Sequence, residues 1–172
     1  MSYWSQLKKW LGAKPADYSE TFPDVLQTES LGSLRLSLST LHGNGKPLFT
    51  ICVYKSDSSE GAIGASFHPD TSKEADPTSW RETFDHRYRE FEEGWLAILN
   101  SRKESIFQRS EGWLPPEGHV GDFFSSLQLG RILVSSDSSV TIAFESSPAL
   151  EHHDLSVTFD HQNNVQEVAI EG

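Results

Sequence analysis

The sequence predicts an α+β domain, a largely antiparallel β-sheet packed against one long helix. Three observations carry that reading. Trp80, Phe84, Tyr88, Phe91, Trp95 and Ile98 recur at steps of four and three, which sets six large side chains on one face of a helix over about residues 77–100. Leu34, Leu36 and Leu38 alternate with Arg35, Ser37 and Ser39, the period of a half-buried strand. The chain then closes on short alternating segments joined by short turns, which pair as antiparallel neighbours. The aromatic stripe of the helix needs a broad apolar partner, and a sheet supplies one.

Residues 3–11 predict a short helix. Ser2 caps it, Gly12 stops it, and Trp4, Leu7 and Leu11 share a side. Trp4, Lys8, Lys9 and Trp10 mark it as a candidate contact surface. It would dock on the domain, on a second copy as a homodimer contact, or on a membrane surface. Residues 13–32 read as loop, broken by Pro15 and Pro23. The expected organisation is therefore an N-terminal helix and linker over 1–32, then a single α+β domain over 33–172.

Ser33 to Leu41 is the first predicted strand. Gly43-Asn44-Gly45-Lys46 is a hairpin turn, because Asn-Gly accepts the positive φ that such turns need. Leu48 to Lys55 returns as a second strand with apolar residues on both faces, which places it inside the sheet. Gly61 to Phe67 is read as a short strand. The long helix opens either on Asp76 with Pro77 in its first turn, or on a capping box of Ser79 and Glu82. Glu82, Asp85, Arg89, Glu90 and Glu93 fall on its polar face, with Glu82–His86 and Asp85–Arg89 at helical spacing. Gly94 costs the interior about 1 kcal/mol against Ala, through a close approach to the sheet or by simple tolerance.

Ser101 to Gly112 shows no period. Val120, Phe123, Phe124 and Leu127 predict a second short helix over about 119–127. Strands follow at Leu129 to Ser135, at Val140, Ile142 and Phe144, at Leu155, Val157 and Phe159, and at Val168 and Ile170.

The order of these later elements resembles an uncharacterised bacterial family, domain of unknown function 2262. Residues 84–172 carry the likeness. The matching pieces are Trp95-Leu96-Ala97-Ile98-Leu99-Asn100, Phe123-Phe124, Leu129 to Ser135, His152-His153-Asp154-Leu155 and Ala169-Ile170-Glu171-Gly172. The chain departs from the family at Ser146-Ser147-Pro148, where the family tends to be acidic, and at His152, which replaces a Gly. The resemblance implies a fold and lends no activity.

Charge is the strongest functional signal. The net charge is -11, and it is unevenly placed. Residues 1–16 hold three Lys and no acid, whereas residues 110–172 hold ten acids against Arg131 alone. Such a surface repels phosphate backbones, so nucleic acid is not an expected partner. It suits a basic protein partner, and it also serves solubility alone. No apolar run is long enough for a membrane span, and no secretory signal shows at the N-terminus. The single cysteine allows no internal disulfide, which makes the cytoplasm the expected location.

The familiar catalytic and metal motifs are absent from the sequence. Gly64-Ala65-Ser66-Phe67-His68 lacks the second Gly of a nucleophile elbow, and no His-Glu-x-x-His or Cys-x-x-Cys is present. Cys52 reads as a small core residue. Glu151, His152, His153, Asp154, Asp160 and His161 flank one strand. Adjacent His152 and His153 point to opposite faces if extended, and His161 lies a strand's length away, so no metal site is expected. His153 and Asp154 are the candidate catalytic residues, with His153 as general base beside a carboxylate from a neighbouring strand. His42, His68, His86 and His119 are isolated and take structural readings.

Two functions follow. The first is a non-catalytic interaction protein, immunity- or adaptor-like, using its acidic surface. The alternative is a small-molecule-binding protein or hydrolase with its site near His153. Neither needs a cofactor.

Overall fold

The computed structural model describes residues 22–43, 46–57, 63–110, 120–145 and 153–171. Eight strands stand side by side in the order in which they occur along the chain. They are β1 (Val25–Thr28), β2 (Gly32–Gly43), β3 (Lys46–Ser56), β4 (Gly64–His68), β5 (Leu129–Ser135), β6 (Val140–Phe144), β7 (Asp154–Phe159) and β8 (Val165–Glu171). Every neighbouring pair is antiparallel except β4 and β5, which run parallel. A parallel pair needs a crossover, and the helices provide it between β4 and β5. They are α1 (Pro77–Ser101), α2 (Lys103–Arg109) and α3 (Val120–Ser125). The sheet is thus two four-stranded meanders joined edge to edge.

The expected α+β architecture is the one observed, with α1 where the aromatic period placed it. Asp76 caps α1, accepting from the Ser79 N–H at 3.2 Å, and Pro77 opens the first turn. The capping-box alternative is therefore not the one used. Trp80, Phe84, Tyr88, Phe91 and Leu99 are buried, with Trp95 and Ile98 packed against the same core.

Different turns of the helix meet different strands. The ring of Trp80 lies 6.1 Å from that of Tyr54 on β3 and 6.0 Å from that of Phe67 on β4. Phe91 lies 5.3 Å from Phe159 on β7, and Trp95 lies 5.5 Å from Phe144 on β6. One helix therefore ties the first meander to the second. Each such aromatic contributes about 1.5–3 kcal/mol by leaving water. On the sheet side, one row in register runs Leu36, Tyr54, Phe67, Val134, Val140, Phe159 and Val165. It lies against the helices, and strict alternation sends the intervening residues to the opposite face.

Several sequence expectations need correction. The stretch 13–32 is not all loop, because Val25–Thr28 forms β1 within the sheet. The segment without a period contains α2. Asp85 is buried and does not lie on the polar face of α1: it accepts from the N–H groups of Glu29 and Ser30 at 2.9 and 2.8 Å, closing the β1–β2 turn. Arg89 pairs with Glu29 at 3.3 Å. A Cβ built on Gly94 meets nothing within 4 Å, so tolerance, and not a close approach, accounts for that glycine. The predicted helix over 3–11 lies outside the described residues, as does the Asn44-Gly45 turn.

Candidate functional site

The face of the sheet away from the helices is built from the alternate residues of each strand. Across its middle a row in register reads Arg35, Lys55, Ser66, Leu133, Thr141, Thr158 and Glu167. The row begins with two cations, passes through hydroxyl and apolar side chains, and ends on a carboxylate. Thr141 and Thr158 share a hydrogen bond of 2.9 Å between their hydroxyls, a cross-strand pair that fixes the register of β6 and β7.

The first meander and β5 form a basic corner. Arg35 reaches Asp57 at 3.4 Å, and both side chains are exposed. Arg131 lies over Gly64. A Cβ at Gly64 would sit 3.7 Å from Arg131 Nε and 3.8 Å from its Cγ, ordinary contact distances that place the arginine stem along the glycine. Ser66 is buried, with Lys55 opposite on β3 and Leu133 opposite on β5. His68 ends β4 and is half-buried. Burial first, and the nearby Lys55 ammonium second, push its imidazole down to about 4, so the ring is neutral near pH 7.

The outer strands carry the opposite sign. Glu145 follows β6, Asp154 opens β7 and Glu167 lies on β8. The register sets Asp154 opposite Glu171. No Lys or Arg occurs in the sequence after Arg131. The face is therefore electrically divided, basic over β2–β5 and acidic over β6–β8.

Of the residues singled out in sequence, His153 sits half-buried immediately before β7, and Asp154 is exposed at its first position. Asp160 accepts from the N–H groups of Gln162 and Asn164, each at 2.8 Å, and so is committed to its own turn. His161 is exposed in that turn. Cys52 is buried, and burial raises its thiol to about 11, which leaves it protonated and a poor nucleophile at neutral pH. Among the described residues no group of three or more His, Cys, Asp or Glu comes together to hold a metal ion. No helix among them is long and apolar enough to cross a membrane. Trp4, Lys8, Lys9, Trp10, Glu151 and His152 lie outside the described residues.

The grouping of Lys55, Ser66, His68 and Arg131 has no counterpart in the linear motifs. The one sequence signal pointing toward it is Arg131 itself, the lone base in an acidic final third. Comparison with known protein-family models, with curated proteins and with solved structures finds no match.

Proposed function

We propose that the protein is a non-catalytic interaction protein of the cytoplasm whose acidic outer strands, β6–β8, receive a basic protein partner. The observation that carries this reading is the division of charge across the open face. Glu145 just after β6, Asp154 on β7 and Glu167 on β8 belong to a run of strands that contains no Lys or Arg. Complementary potentials of this kind steer association and select partners by sign. A free, buried cysteine with no disulfide partner fits a reducing compartment.

The test is a titration of the full chain against a panel of purified basic proteins at low and high salt. Binding should weaken as salt rises, because exposed charges are screened over about 10 Å at 0.1 M ionic strength. The double reversal Asp154→Lys with Glu167→Lys should abolish it. Reversal of Glu82 and Glu93, exposed on α1, should leave it intact. Affinity indifferent to salt, or equal loss from both sets of variants, would overturn the reading.

A further inference from the structure

We infer that Lys55, Ser66, His68 and Arg131 form a binding site for one phosphate monoester group of a small molecule. The inference is independent of the proposed basic partner, which uses the other half of the face.

Charge accounting comes first. Arg35 is met by Asp57, but Lys55 and Arg131 have neither an ion pair nor a side-chain hydrogen bond among the described residues. Glu145 lies close by, its Cγ over Gly130, yet it forms no ion pair with Arg131. In a chain of net charge -11, two cations left without acids on either side of β4 stand out.

The second observation is Ser66. It is 4% exposed, it faces the same side, and its hydroxyl has no hydrogen-bond partner among the described residues. A buried polar group left unsatisfied costs about 1–3 kcal/mol, and native structures rarely retain one without a use. His68, two residues on, adds a neutral ring to the same face of β4.

Geometry brings the groups together. Lys55 stands opposite Ser66 on one side of β4, and Arg131 stands opposite Gly64 on the other. Strands lie about 4.8 Å apart and two residues of strand rise about 6.7 Å, so the two stems start roughly 12 Å apart on a diagonal across β4. Both stems are long enough for their heads to meet above Ser66. The Arg131 stem lies along Gly64. A phosphate monoester carries a charge of about -1.5 to -2 at pH 7 and three acceptor oxygens. That matches an ammonium, a guanidinium and a hydroxyl better than a carboxylate of single charge does. Acids flank the site, Glu145 over Gly130 on one side and Asp57 at Arg35 on the other, which disfavours a nucleic acid backbone.

The experiment is a titration of isotope-labelled full-length protein with methyl phosphate, followed by amide shifts. Saturable shifts at Lys55, Ser66, His68 and Arg131 are expected. Lys55→Ala and Arg131→Ala should each weaken binding by roughly tenfold or more, the scale of one charge-assisted hydrogen bond. Ser66→Ala should weaken it less, and Arg35→Ala not at all. Arg131→Lys, which keeps the charge, should fall between wild type and Arg131→Ala and guards against a fold defect. Reversal of Asp154 and Glu167 should leave saturation intact, which separates this site from the acidic one. Non-saturating shifts, equal affinity for acetate at matched ionic strength, tighter binding of a DNA oligonucleotide, or equal loss in Arg35→Ala would each overturn the assignment.

Discussion

Arg87 on α1 and Asn163 in the β7–β8 turn are 76 residues apart, and Arg87 Nη2 donates to Asn163 Oδ1 at 2.9 Å. The same Nη2 donates to the Asp160 carbonyl at 3.0 Å, and Nε donates to the Ser138 carbonyl at 2.9 Å. Glu90 takes the remaining guanidinium edge and also accepts from Asn163 Nδ2 at 2.6 Å. The guanidinium carbon lies 5.1 Å from the centre of the Phe91 ring. Ser138 and Asn163 both adopt positive φ, at 66° and 60°. A buried arginine thus fastens two turns of the second meander to α1.

Arg87→Met should therefore cost about 3–5 kcal/mol, because it strands Glu90 and two carbonyls without their donor. Arg87→Lys should recover only part, since an ammonium lacks the planar fork that meets acceptors on two turns. Urea denaturation monitored by tryptophan fluorescence measures both. An unchanged midpoint in Arg87→Met would sink the account.

Asp85 makes the matching tie at the first meander. Burial opposes its ionisation, but the N–H groups of Glu29 and Ser30 and the Ser30 hydroxyl outweigh burial and hold the carboxyl below its usual range. A depressed carboxyl contributes stability above its unfolded value, and that contribution is lost as pH falls through the folded one. Asp85→Asn should thus lower stability near neutrality and flatten its decline below about pH 4. Denaturant midpoints taken from pH 6 downward check it; parallel curves for the two proteins would count against it.

Legibility followed the strength of the local period. The stripe from Trp80 to Phe91 could be read because it runs on across several turns. Val25–Thr28 could not, since four residues between Pro23 and a turn show no alternation. The seven residues of α2 failed for the same reason. Asp85 looks like a surface charge by spacing, and only the distant turn that it serves draws it inside. The pairing of β4 with β5 is made through the helical crossover, so no local signal announces it. Lys55, Ser66 and Arg131 belong to three strands, and their grouping waits on that pairing. The acidic bias of the outer strands, by contrast, was already plain in the charge count.

Two glycines should respond in opposite directions. Gly94 lies within α1, and an added methyl meets nothing within 4 Å. Gly94→Ala should raise stability by about 0.5–1 kcal/mol by narrowing the unfolded ensemble. Gly32 also has open space around it, but its φ is +75°. Gly32→Ala should lower stability by about 1–2 kcal/mol through backbone strain alone. Thermal melts of the two variants decide the point, and the same sign for both would refute it.

His68 offers a check on the basic corner that needs no ligand. Burial is the larger cause of its low value of about 4, and Lys55 the smaller. The unfolded chain takes up a proton near 6.5, whereas the folded chain refuses it until about 4. Between those values the unfolded state holds more protons, so stability falls as pH drops through that window. This window lies above the one assigned to Asp85, which keeps the two effects apart. His68→Gln should remove the slope between pH 6.5 and 4 while leaving the decline at lower pH. Lys55→Ala should raise the His68 midpoint only in part, because burial remains. A proton NMR titration of the imidazole reads this directly, and a His68 midpoint at its ordinary value would show that the ring is solvated and would sink the account.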